Sequence, residues 1–265
     1  MSLIEALILG LVQGLTEFLP VSSSGHIELV KVIFDQEVKE GLFFTLALHA
    51  ATALSTIVVF RKEILGLFTG MVKKGEQSSW NYILLILISM IPAALVGFFL
   101  EDKIETLFNG NLLLVGSCLL ITGVVLFFSD RIKNNGNEIT PVRSFWVGII
   151  QAIAILPGIS RSGSTIAGGV LLGIERGKMA AFSFIMVLPL IVGASLKKVM
   201  DFGTEGLVAE LPDLTSLLVA FIAALVAGLF ACKWMISLVK QSKLSWFAYY
   251  CWLVGTISIV SYFAF

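Results

Sequence analysis

An all-α polytopic membrane protein built as an inverted-topology repeat is the fold class this sequence predicts. Three observations predict it. Of 265 residues, 57% are hydrophobic and 14% charged, against about 25% charged in soluble domains. Six apolar stretches are long enough to cross a bilayer, which takes about 20 residues. Four shorter apolar stretches pair around two polar breaks of similar sequence, QGLTEFLPVSSSGH from Gln13 to His26 and QAIAILPGISRSGST from Gln151 to Thr165. Each half therefore reads as a re-entrant helix-loop-helix hairpin followed by three transmembrane helices.

The elements follow in order. Residues 3–19 are apolar but carry Gln13 and Glu17, which share one helix face at a spacing of four. Pro20 has no N–H to donate and ends or kinks that helix. Ser22, Ser23 and Ser24 suit the N-cap of a return helix starting near His26 and running through 26–34. Neither arm is long enough to span, so 3–34 is predicted to enter the bilayer and return to the same side. Spans over about 42–60, 80–100 and 111–129 complete a first unit, residues 1–130. The second unit, 144–265, repeats the order: a hairpin over 144–174 with arms 144–156 and 165–174, then spans over about 179–200, 214–236 and 246–265. The two units form one integrated membrane domain.

Loop charge orients the chain, because cytoplasmic loops are enriched in Lys and Arg. Basic residues gather in the 61–79 loop (Arg61, Lys62, Lys73, Lys74), in the 130–143 loop (Arg131, Lys133, Arg143), after the second hairpin (Arg176, Lys178) and between the last two spans (Lys233, Lys240, Lys243). The opposite loops are acidic: Asp35, Glu37 and Glu40; Glu101, Asp102 and Glu105; Asp201, Glu205, Glu210 and Asp213, diluted by Lys197 and Lys198. The first hairpin then enters from outside and the second from the cytoplasm. One constant offset carries Gly10 onto Gly148, Gln13 onto Gln151, Ser24 onto Ser162 and Gly25 onto Gly163, with the prolines one residue out of register. In inverted repeats with broken helices, the working site lies near the midplane where the breaks meet.

Composition excludes other classes. Lys plus Arg and Asp plus Glu are both 18, and nothing indicates a nucleic-acid partner. Cys118, Cys232 and Cys251 are scattered in apolar segments with no metal or disulfide spacing. The N-terminal MSLIEALILG lacks the basic region of a signal peptide and is not expected to be cleaved.

The chemistry gathers at the breaks. Two helix N-termini facing inward form an anion site. Arg161 adds a planar cation suited to phosphate, and Ser160, Ser162, Ser164 and Thr165 add hydroxyls. Glu17 opposes this, because a carboxylate repels phosphate unless a proton or a cation intervenes. A divalent ion, Mg²⁺ or Ca²⁺, held by Glu17 with Gln13 would resolve the conflict. His26 could then act as general acid or base, and a nearby serine as a nucleophile activated by it. Glu5 and Glu28 read as interfacial, and His49 as a hydrogen-bonding partner of a neighbouring helix.

These residues resemble the undecaprenyl-diphosphatase (bacitracin-resistance protein) family over essentially the full chain. The matching elements are Gln13–Glu17 running into Pro20–His26, and Pro157–Thr165. The resemblance implies hydrolysis of undecaprenyl diphosphate to undecaprenyl phosphate and inorganic phosphate, recycling the lipid carrier of bacterial cell-wall synthesis. It implies a multi-pass protein of the bacterial plasma membrane with its site open to the outer face, dependent on a divalent cation. Glu17, Ser23, His26 and Arg161 would carry the chemistry. Gln13, Ser22, Ser24, Gly25, Ser160, Ser162, Gly163 and Thr165 would bind substrate, with Glu17 and Gln13 at the metal. Gln13 stands where other members have Glu. Ser23 and His26 both stay open as nucleophile, a homodimer stays open as assembly, and a polyprenyl-phosphate transporter or flippase is the rival reading.

Overall fold

The computed structural model describes residues 1–33, 42–73, 77–100, 103–104, 106–108, 111–133, 136–209 and 213–264. Asp35, Glu37, Glu40, Lys74, Glu101, Asp102, Glu105 and Glu210 lie outside the described residues, as do the side chains of Asp201 and Glu205. The protein is an all-α polytopic membrane protein, and its described residues contain no strand beyond one bridge between Asn137 and Ile174. Eleven α-helices follow among them: α1 Leu3–Phe18, α2 Ser23–Ile33, α3 Leu42–Val59, α4 Arg61–Val72, α5 Gln77–Phe99, α6 Leu112–Ser129, α7 Pro141–Ile153, α8 Arg161–Leu171, α9 Arg176–Ala209, α10 Leu214–Lys240 and α11 Ser245–Ala264.

Five helices are long and apolar enough to cross a membrane: α5, α6, the Arg176–Met200 part of α9, α10 and α11. The sixth predicted span, 42–60, passes only together with α4, to which it is bent by 74°. The predicted 61–79 loop is therefore corrected. Its first part is α4, because Ile64, Leu65, Leu67, Phe68 and Met71 keep the sequence apolar between the basic ends. Phe60, 4% exposed, fills the corner. Two further boundaries differ. Helix α9 starts at Arg176 and continues through positions 201–209, which the charge pattern had placed in a loop. The return helices start at Ser23 and Arg161, earlier than the predicted 26 and 165.

Capping explains the short helices. Ser2 and Glu5 form a reciprocal capping box on α1. Leu19 is extended, as the residue before a proline must be, so α1 stops there. Thr140 caps α7, with Pro141 in the first helical position. Asp213 caps α10 through Ser216, and these two hydrogen bonds hold its carboxyl below the ordinary aspartate value.

Close packing of small residues joins the helices, as expected where lipid supplies no hydrophobic drive between them. Helix α1 packs on α10, α3 on α10, α5 on α7, α5 on α9 and α6 on α11. A Cβ at Gly10 or Gly14 would collide with the backbone carbonyls of Ala220 and Ala224, and one at Gly148 with that of Ser89. This set of packings maps onto itself when the halves are exchanged: α1 on α10 becomes α7 on α5, and α3 on α10 becomes α9 on α5. The α6–α11 contact maps onto itself. There a Cβ on Gly116 would lie 2.7 Å from the Gly255 carbonyl, and one on Gly255 would lie 2.8 Å from the Gly116 carbonyl. Leu218, Ile222, Val226, Phe230 and Trp234 repeat every four residues along the exposed side of α10, a lipid-facing stripe.

Candidate active site

The two breaks meet backbone to backbone. A Cβ on Gly25 would lie 3.1 Å from Gly158 Cα, and one on Gly163 would lie 2.9 Å from Pro20 Cβ. Ser162 Oγ donates to the Leu19 carbonyl at 3.3 Å. Gly158 has φ +90° and stands so close to the Val115 carbonyl on α6 that a side chain does not fit. Thr122, also on α6, accepts from Ser160 N at 3.1 Å and donates toward the Gly158 carbonyl at 3.3 Å, pinning the second break.

Each return helix is capped by the serine ahead of it. At the first break, Ser22 Oγ accepts from Gly25 N at 3.2 Å and lies 3.3 Å from Ser24 Oγ. Ser22 adopts φ +70°, a conformation that non-glycine residues seldom occupy. At the second break, Ser160 Oγ accepts from Gly163 N at 3.0 Å and lies 3.4 Å from Ser162 Oγ.

Glu17 is the hub. Its Oε2 accepts from Ser23 Oγ at 2.7 Å and from Gln13 Nε2 at 3.2 Å. Its Oε1 is paired with Arg161 Nη2 from the other half of the chain. The Glu17 side chain is 10% exposed and that of Arg161 18%. Arg161 thus neutralises the charge that would repel a phosphate, while its Nη1 is buried with no protein partner. Thr165, fully buried, donates to the Arg161 carbonyl at 2.8 Å and meets Ser183 of α9 at 2.6 Å, so it fixes the turn that carries Arg161.

His26 has both ring nitrogens in contact with neighbours. Its Nδ1 lies 2.8 Å from the Ser22 carbonyl, which can only accept, so this nitrogen carries the proton. Its Nε2 lies 2.8 Å from the hydroxyl of Tyr250 on α11, and the two rings stack at 5.6 Å and 10°. Both ring nitrogens of His26 are engaged away from Ser23. The Ser23 hydroxyl donates instead to Glu17 Oε2. His49, expected to bond across helices, bonds within its own helix to the Thr45 carbonyl at 2.9 Å.

A profile of the family described as bacitracin resistance protein BacA matches residues 6–257. The chain belongs to the BacA family. Relatives of this BacA-family protein include undecaprenyl-diphosphatases from Christiangramia forsetii, 50% identical over all of both chains, and from Bacteroides fragilis, 50% identical over 97% of each. Another, from Parabacteroides distasonis, is 48% identical over 98% of each. None of these three is named as a transporter.

Sequence reasoning missed Tyr250, Thr122 and Ser183. Tyr250 sits in the run SWFAYYCWLVG, where it is indistinguishable from aromatics that line the membrane interface. Thr122 and Ser183 are lone hydroxyls in apolar spans. Only the long-range packing reveals their partners.

Among the described residues, no three His, Cys, Asp or Glu side chains converge as a metal cage. Glu17 supplies one carboxylate, and Gln13 Oε1 is a buried acceptor without a protein partner. That set fits a Mg²⁺- or Ca²⁺-type ion that keeps waters and takes its remaining oxygens from a phosphate.

Proposed function

We propose that this chain is an undecaprenyl-diphosphate phosphatase of the bacterial plasma membrane, releasing inorganic phosphate and returning the lipid monophosphate to cell-wall synthesis. The observation that carries the reading is the Ser23–Glu17–Arg161 chain, which joins a nucleophile, its proton acceptor and a phosphate-binding cation across the two breaks. The full-length relatives named as that enzyme support it.

The residues divide the work. Arg161 turns its free Nη1 to the terminal phosphate, where a planar fork matches two oxygens. Ser23 Oγ attacks the terminal phosphorus while its proton passes to Glu17 Oε2. The bridging P–O bond breaks and the lipid monophosphate leaves with that electron pair. Water then splits the Ser23–phosphate: its hydroxyl goes to phosphorus and its other proton to Ser23 Oγ, while Glu17 releases its proton to solvent. His26 has both nitrogens committed, which favours Ser23 as nucleophile and leaves His26, with Tyr250, to shape the pocket wall. Ser22 and Ser160 hold the helix N-termini that face the anion, and Ser24, Gly25, Ser162 and Gly163 line the backbone junction. A divalent ion at Glu17 and Gln13 would offset phosphate charge.

The reading takes 1–130 and 144–265 as inverted units with the site open to the outer face. The packing preserved on exchange of halves and the basic loops support this. Purified protein in detergent, given a polyprenyl diphosphate and Mg²⁺, should release one phosphate per lipid and lose activity in chelator. No phosphate release in Mg²⁺ or Ca²⁺ would refute the reading.

A further inference from the structure

Among the described residues, the buried side-chain nitrogens and oxygens without a hydrogen-bond partner fall on three residues only: Gln13 Oε1, Arg161 Nη1 and both amide atoms of Gln151. Two of these residues bond to Glu17. The third has no assigned role. Gln151 lies in the last turn of α7, just ahead of the second break, and is 3% exposed. It continues the buried stripe of Ser144, Val147 and Gly148. Val147 on that stripe is 0% exposed within the apolar core. Packing alone would favour Leu or Met at position 151. A primary amide there loses its water and gains no protein bond in return, which is unfavourable at both of its polar ends. Native proteins keep few such groups, and those they keep have a reason.

The sequence offset pairs Gln151 with Gln13, so each hairpin brings one glutamine on its entering arm. The unpartnered atoms divide into donors and acceptors. Arg161 Nη1 and Gln151 Nε2 are donors, as phosphate oxygens require. Gln13 Oε1 and Gln151 Oε1 are oxygen acceptors, as a hard cation or its water shell requires.

We propose that Gln151 is a further substrate-binding residue, its amide N–H donating to a phosphate oxygen of the diphosphate and its carbonyl accepting from the hydrated cation. This rests on the phosphatase reading above.

The test uses the full chain in detergent and the substitution Gln151→Met, which keeps the volume and removes both polar ends. Without ligand, the variant should unfold about 2 °C or more above wild type, because a buried unpaired amide is gone. It should lose most of the stabilisation that inorganic pyrophosphate with Mg²⁺ gives wild type. Its KM for polyprenyl diphosphate should rise at least about fivefold, the scale of one lost hydrogen bond, with a smaller change in kcat. A variant that unfolds earlier, or does not fold, would make Gln151 a structural residue and overturn the proposal. So would a stabilised variant with unchanged KM and unchanged pyrophosphate response. Wild type that is stabilised by pyrophosphate yet hydrolyses no lipid would sink the phosphatase reading while the pyrophosphate arm still reads Gln151.

Discussion

The two breaks share a plan and divide the chemistry. The first carries Glu17, Ser23 and His26; the second carries the cation, Arg161. Their backbones differ in the same sense. At the second break the left-handed position belongs to Gly158, and Ser160 caps from ordinary extended backbone at φ −71°. At the first, Ser22 takes the left-handed conformation itself, at a cost of roughly 1–3 kcal/mol. Its carbonyl thereby meets His26 Nδ1 while its hydroxyl caps Gly25. The relaxed break carries Arg161, and the strained one carries Ser23 and His26.

Substitutions at each break test this division, from the largest effect to the smallest. Glu17→Gln keeps the shape but removes the acceptor of the Ser23 proton, and phosphate release should fall about 10²–10⁴-fold. The loss should persist at every Mg²⁺ concentration; recovery at high Mg²⁺ would make Glu17 a metal ligand first and a proton acceptor second. Arg161→Lys keeps the charge and loses the fork, and turnover should drop at least about tenfold, the scale of one charge-assisted hydrogen bond. Near-normal turnover would assign Arg161 to structure. Tyr250→Phe deprives His26 Nε2 of its donor while leaving the ring stack. Activity should fall roughly fivefold, with an altered pH profile as His26 loses its partner. An unchanged profile would detach Tyr250 from the site. The backbone contrast predicts opposite thermal shifts. Gly158→Ala should lower the unfolding temperature, because its φ of +90° and the Val115 carbonyl exclude a side chain. Ser22→Gly should leave it within about 1–2 °C of wild type, strain relief offsetting the lost cap.

Much of this was legible in the sequence because bilayer length and backbone satisfaction leave few options. The long apolar runs became helices, and Pro20 and the serines marked where backbone geometry must change. Glu17 and Arg161 stood out because charge inside a membrane demands a reason. What was hidden depends on contacts between distant segments. Ser23 and His26 are three apart, which invited a serine–histidine pair, yet Tyr250 claims the ring from the far end of the chain. Helix α4 was hidden because its basic residues read as loop charge. Gln151 was visible as the partner of Gln13, but only its burial without partners marks it as a binding group.

The central claim is that the two breaks form one site through Glu17 and Arg161. A double-mutant cycle of phosphate release for Glu17→Gln, Arg161→Gln and the pair, measured on purified protein at saturating Mg²⁺, tests it directly. Groups that act as a unit lose function once, so the double variant should be no more than about threefold worse than Glu17→Gln alone. Losses that multiply in full would show two independent contributions and contradict a shared site.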